Sequence, residues 1–163
     1  MSSSDLIYVR YRYWDASAAV KLVASELKSD VARAYFESGG PFYITHHCAV
    51  EVLSVLKSKH FFRKELSQEE HSHACHSFLA HLRGRLKLYG PEINDASTFW
   101  DAEELGRRHA LDFIDALQLV TVKTLSGTGP SAPLLITADE KLAAAARLEK
   151  LEVWDIVREP VPQ

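Results

Sequence analysis

The chain predicts an α/β fold, a three-layer α/β/α sandwich around a mostly parallel sheet. Three observations carry this. Short aromatic, β-branched or aliphatic runs recur at 6–14, 42–45, 86–89, 134–137 and 153–157; stretches of helical composition fill the intervals; and breakers such as Gly39-Gly40-Pro41 and Gly90-Pro91 punctuate them. Strand-like and helix-like segments therefore alternate, which antiparallel hairpins would not require.

Each element has its own local reason. Leu6 to Trp14 is rich in β-formers and reads as the first strand, with Asp15 at its end and Ala16 to Val23 as a helix. A second helix runs from about Ser29 to the Gly39-Gly40-Pro41 stop, followed by a short strand at 42–45. Ala49, Val50, Val52, Leu53, Val55 and Leu56 form a broad apolar stripe at helical spacing, with Glu51 inside it. Ser67-Gln68-Glu69-Glu70 is a capping box that opens a helix reaching about Leu82. A strand at 86–89 and a helix over about Thr98 to Arg108 follow. Asp112 is the N-cap of a largely buried helix over 112–122, and Ser126 to Pro133 forms a long loop. Leu134 to Thr137 is a short apolar strand, Glu140 to Lys150 an alanine-rich helix, and Val153 to Val157 the last strand.

Composition narrows the class. With 163 residues, 47% apolar and 25% charged, the chain is neither disordered nor fibrous, and it is sized for a single domain over 1–163. Nineteen basic residues against 22 acidic give a net charge of −3, so any grip on nucleic acid comes from local patches. Cys48 and Cys75 are the only cysteines, too few for a disulfide scaffold. The sequence contains no long apolar span, and Met1 to Asp5 lacks signal-peptide character. A cytoplasmic protein is expected.

Four acids occupy telling positions. Asp15 and Asp139 follow two predicted strands, where open α/β sheets bind their ligands. Glu51 and Asp115 lie on otherwise apolar helices, where a carboxylate is costly unless it is paired or bound to a cation. Carboxylates brought to ~5 Å would repel by roughly 3 kcal/mol per pair at an effective dielectric of 20. A multivalent cation would make such a cluster tolerable, and oxygen-only ligation selects Mg²⁺ or Mn²⁺. The matching chemistry is attack of metal-activated water on a phosphodiester.

In order and context these acids resemble the motifs of PIN-domain ribonucleases. The resemblance is carried by Tyr13-Trp14-Asp15-Ala16-Ser17-Ala18, Val50-Glu51-Val52-Leu53, Ile114-Asp115-Ala116-Leu117 and Thr137-Ala138-Asp139-Glu140, and it spans roughly 7–157. Within that family the size is most similar to the VapC-type toxins of toxin–antitoxin pairs. The resemblance implies a PIN-like fold and a Mg²⁺- or Mn²⁺-dependent endoribonuclease whose catalytic and metal residues are Asp15, Glu51, Asp115 and Asp139, with Thr137 in support. It also implies an RNA substrate, a homodimer and a cognate antitoxin.

The sequence departs from that pattern in three places. Asp15 lies behind an N-terminal extension, Arg10 and Arg12 are awkward in a central parallel strand, and the loop 126–133 is long for such a unit. Capping is the competing reading for Asp15 and Asp139; Asp112 is taken as a cap with an auxiliary role. The histidines and cysteine at 71, 73, 75 and 76 divide between helix faces and match no zinc spacing. Basic clusters at Lys57, Lys59, Arg63 and Lys64, at Arg83, Arg85 and Lys87, and at Arg107-Arg108 are candidates for RNA contact, with solvated faces as the alternative. The functional rival is a catalytically silent PIN-like module that binds RNA or protein.

Overall fold

The computed structural model describes residues 10–90, 96–125 and 132–162. Its elements in chain order are β1 (Arg12–Trp14), α1 (Ala16–Val23), α2 (Ser29–Glu37), β2 (Phe42–Ile44), α3 (His46–Phe61), α4 (Gln68–Arg83), β3 (Leu86–Leu88), α5 (Ala96–His109), α6 (Phe113–Thr124), β4 (Leu134–Thr137), α7 (Glu140–Leu148) and β5 (Glu152–Asp155). The sheet order is β3-β2-β1-β4-β5 and every pairing is parallel. Chain order runs outward from β1 in one direction and resumes at β4 in the other. The topological switch point therefore lies between β1 and β4, where such sheets bind ligands.

Side chains alternate across the sheet and supply two cores. Trp14, Phe42, Ile44, Leu86, Leu134, Ile136 and Trp154 pack with α1, α2, α3 and α4. Tyr13 and Leu135 pack with α5, α6 and α7. The three expected layers follow directly. Trp14 anchors the first core, edge-on to Phe36 and Phe42 at 5.8 Å each.

The arginine problem in β1 has a local solution. Arg12 lies at the start of the strand, and its Nη1 donates to Gly39 O at 3.0 Å while the guanidinium covers the rings of Tyr35 and Phe42. Gly40 adopts a φ of 142°, which other residues rarely take, and it brings the turn against that guanidinium. Arg10 precedes the strand; its Nε donates to Ala132 O at 3.2 Å and it pairs with Glu152. Of the strand expected over 6–14, Arg12–Trp14 forms, and 6–9 lie outside the described residues. Most of the expected loop 126–133 does too.

Other boundaries move for identifiable reasons. Thr45, expected as strand, is the N-cap of α3, its hydroxyl accepting from Cys48 N at 3.3 Å. The capping box at Ser67 forms as read, with Ser67 N donating to Glu70 Oε2 at 2.7 Å. β5 stops at Asp155 because Asp155 Oδ1 accepts from Val157 N at 3.0 Å and turns the chain. α7 stops two residues before the expected Lys150, which adopts a φ of 62° and passes its amide to Arg147 O. No helix of the described residues is long and apolar enough to cross a membrane.

Candidate active site

Asp15 leaves the end of β1 at the switch point and is 2% exposed. It caps α1, its Oδ2 accepting from Ser17 N at 3.2 Å, and the same oxygen accepts from Ser17 Oγ at 2.6 Å and Thr137 Oγ1 at 3.1 Å. Those hydroxyls are themselves fixed: Ser17 Oγ accepts from Ala138 N and Thr137 Oγ1 from Asp139 N, each at 3.0 Å. The turn from β4 into α7 is thereby tied to Asp15. Burial raises the Asp15 pKa, opposed by the hydrogen bonds from Ser17 and Thr137.

Glu51 comes from α3, one turn inside the helix. Its Oε2 is buried and has no hydrogen-bond partner. Burial first, then the charges of Asp15, Asp112 and Asp139, push its pKa up to about 7. Asp115 comes from α6, whose N-cap Asp112 accepts from the Asp115 amide at 2.9 Å. Burial again comes first, followed by the charges of Asp15, Asp112, Asp139 and Glu51, and together they raise its pKa to about 8. Asp139 caps α7, with Oδ1 accepting from Leu142 N at 2.8 Å. Asp15 thus combines capping with a place beside Glu51, in a group whose ligand atoms lie within 4.8 Å of one another. Asp115 and Asp139 lie outside that group, Asp139 capping α7 and acting on Glu51 and Asp115 through its charge. Among the described residues, none of Asp15, Glu51, Asp112, Asp115 and Asp139 is in an ion pair.

Three residues that the sequence reading passed over belong to the same region. Ser17 could have been found from the Asp-x-Ser spacing at the helix start, which is hydroxyl capping chemistry. Cys48 lies one turn before Glu51; its Sγ is 3.8 Å from Asp15 Oδ1 and 3.3 Å from Gln118 Oε1. Gln118 lies one turn beyond Asp115, is fully buried, accepts from Thr45 Oγ1 at 2.9 Å and leaves its Nε2 without a partner. A glutamine among Ala116, Leu117, Leu119 and Val120 was its only signal. A further strand-end acid, Asp155, is held by Arg158 at 2.9 Å, so its charge is met locally.

The donor set fits a divalent cation. Ligand atoms of Asp15, Cys48 and Glu51 lie within 4.8 Å of one another, and no other such group of His, Cys, Asp and Glu occurs among the described residues. The histidine-rich α4 accordingly forms no metal cluster; Cys75 there packs against the first core, with its Sγ 3.5 Å from His71 Nε2. Several candidate RNA-binding cations are committed elsewhere. Lys59 is buried between Glu26 and Glu65, Arg85 pairs with Glu37, and Arg108 pairs with Glu104 and Glu149. Lys57, Lys64, Arg83, Lys87 and Arg107 remain exposed, as does Arg63, which lies 4.0 Å from Glu65.

The chain is matched by the family model of the PIN domain over residues 12–148. Solved structures share its fold. VapC20 of Mycobacterium tuberculosis, described as a sarcin-ricin loop cleaving toxin, is 16% identical with a TM-score of 0.60, covering 82% of this chain and 94% of its own. FitAcB from Neisseria gonorrhoeae is 14% identical with a TM-score of 0.60, covering 91% and 99% respectively. The structure of FitAB bound to the IR36 DNA fragment gives 13% identity and a TM-score of 0.61 over 93% of this chain and 99% of that one. Among curated proteins no relative matches.

Proposed function

The chain belongs to the PIN-domain family, and from that premise we propose that it is a metal-dependent endoribonuclease, the toxin of a toxin–antitoxin pair. The observation that carries this reading is the uncompensated acid set: ligand atoms of Asp15 and Glu51 lie within 4.8 Å of one another, and no cationic side chain among the described residues is paired to either. Burial first, then the neighbouring carboxylates, push Glu51 and Asp115 up to about 7 and 8. A protein that used these residues only as caps and surface charge would not leave a buried Glu51 oxygen without a partner.

In this reading Asp15, Glu51, Asp115 and Asp139 hold Mg²⁺ or Mn²⁺. When bound, such an ion acidifies water for in-line attack on phosphorus and stabilises the leaving oxygen. The protein's own residues prepare that site. Ser17 and Thr137 fix Asp15 Oδ2 in one orientation, leaving Oδ1 directed toward Cys48. Asp112 spends one oxygen on the α6 cap, which holds Asp115 at the first turn of that helix. Glu51 and Asp115 hold protons near neutrality and would have to be ionised to ligate a cation, so cleavage should rise with pH between about 6 and 8.

The similarity to VapC20, a sarcin-ricin loop cleaving toxin, supports an RNA substrate and that to the FitAB complex an antitoxin partner; a homodimer is part of the same proposal. An RNA substrate would place the protein's action in the cytoplasm. We take 1–163 as a single PIN-like domain.

The test is incubation of total RNA with purified, partner-free protein in Mn²⁺, with new ends mapped by sequencing. Discrete cuts by the wild type that Asp15→Asn does not make are expected. Equal behaviour of the two proteins over a range of concentrations would replace the nuclease with a silent binding module.

A further inference from the structure

A phosphodiester that reaches the acid site brings negative charge toward carboxylates, and a cation at the rim would ease its approach. Arg158 stands at that rim. β5 pairs with β4 so that Asp155 lies beside Thr137, and Ile156 N donates to Thr137 O at 2.9 Å. Thr137 is the residue whose hydroxyl donates to Asp15 and accepts from the Asp139 amide. The turn after β5 thus leaves the sheet at the same end as Asp15 and Asp139.

That turn holds one side chain firmly. Asp155 is 2% exposed. Its Oδ1 accepts from Val157 N at 3.0 Å and Arg158 N at 3.3 Å, and its Oδ2 accepts from Arg158 Nη1 at 2.9 Å. Its own amide donates to Glu159 Oε2 at 2.9 Å. The buried carboxylate anchors one edge of the guanidinium, because losing that cation would leave its charge uncompensated. The hydrogen bond to Asp155 raises the Arg158 pKa most, desolvation opposes it, and the charges of Asp155, Glu140 and Asp139 add to the rise. The guanidinium therefore feels the charge of a site acid.

The other edge is free to change partner. Arg158 Nη2 lies 3.0 Å from Glu140 Oε2, in a pair whose side chains are 44% and 72% exposed. Exposed pairs of this kind contribute little, whereas a guanidinium–phosphate pair is charge-assisted and can be bidentate. A phosphate can take the place of Glu140 while Asp155 keeps the guanidinium aimed.

We propose that Arg158 is a substrate-binding residue: held by Asp155, it takes a backbone phosphate of the RNA strand beside the cleaved bond and gives up Glu140 in exchange. The proposal deepens the nuclease reading and rests on it for the identity of the substrate.

The test measures binding of a fluorescein-labelled RNA hairpin by full-length protein carrying Asp15→Asn, so that the RNA stays intact, in Mg²⁺ over a range of salt. Adding Arg158→Gln should weaken binding about 10-fold and reduce the slope of log affinity against log salt by ~1. Arg158→Lys keeps a cation beside Asp155 for folding but lacks the fork, and should weaken binding about 3-fold. Glu140→Gln should tighten binding about 2-fold, and lose that effect when Arg158→Gln is also present. With Asp15 restored, Arg158→Gln should raise KM for cleavage and leave Mn²⁺ affinity unchanged. Parent-like affinity in both Arg158 variants, or tightening by Glu140→Gln that does not need Arg158, would overturn the inference and leave the nuclease reading standing. Binding that depends on Arg158 in a protein that never cuts RNA would keep the contact and remove the nuclease. Failure of the Asp15→Asn parent to bind the hairpin, with no cleavage by the wild type, would remove both.

Discussion

Glu149 and Glu51 are both partly buried glutamates, yet the first is held down at about 2 and the second is pushed up to about 7. Their partners explain the gap. Glu149 accepts from Lys123 Nζ at 2.5 Å, His109 Nε2 at 2.7 Å and Arg108 Nη1 at 3.1 Å, so one carboxylate ties together α5, α6 and the end of α7. Glu51 has burial and three neighbouring carboxylates, and one of its oxygens has no partner. In one place the chain meets the cost of a buried charge with its own cations; in the other that cost is left standing. In the proposed reading, a cost left standing there marks a place for a charge from outside the chain.

The comparison can be broken most forcefully at Asp15. Asp15→Asn should lower RNA cleavage in Mn²⁺ by at least ~100-fold, the equivalent of about 3 kcal/mol of lost transition-state stabilisation. Asparagine still caps α1, so melting in metal-free buffer should show no loss of stability. A destabilised but active variant would reduce Asp15 to a cap.

Glu149→Gln is the converse. Removing the charge that Lys123 and Arg108 pair with and His109 hydrogen-bonds should cost about 2 kcal/mol in urea unfolding at pH 7, with Mn²⁺ affinity unchanged. A change in affinity instead would mean that the two carboxylate sets are not independent.

The two sets also predict opposite pH dependences. Glu51 and Asp115 have folded-state values raised from 4.5 and 3.8, so between those values and about 7 to 8 the folded protein binds more protons than the unfolded. Metal-free stability therefore falls as pH rises through that window. The contribution of Glu149, lowered from 4.5 to about 2, is full above 4.5 and is lost as pH falls toward 2. Asp115→Asn should accordingly stabilise the metal-free protein by about 1 kcal/mol at pH 8, after allowance for solvent screening, and by nothing below about pH 4. Melting curves across pH for the wild type and this variant would reveal a flat difference if repulsion were absent.

Much of this was legible in the chain because it is periodic or local. The strand Leu134–Thr137, the capping box at Ser67 and the Asp112 cap are each written in a few adjacent residues, and each forms as read. The acids were legible by a different route, Asp15 and Asp139 as carboxylates at strand ends and Glu51 and Asp115 as charges on otherwise apolar helices. What stayed hidden depends on contacts between distant segments. Arg12 looks wrong for a central strand until the Gly39-Gly40 turn folds back over it. Ser17 meets Thr137 across the sheet's switch point, and Gln118 reaches Thr45 and Cys48 from another helix. Lys59 and Arg108 read as basic patches in part because Glu26 and Glu149, which Lys59 and Arg108 respectively meet, lie far away in the chain.

The most direct test of the central contrast is thermal unfolding at pH 7.5 with and without Mn²⁺, run on wild type, Asp115→Asn and Glu149→Gln. At ~100 times its dissociation constant the ion should stabilise wild type by about 2.7 kcal/mol. It should stabilise Glu149→Gln equally and Asp115→Asn far less. Equal stabilisation of all three proteins, or of none, would contradict the claim that the uncompensated acids are a cation site.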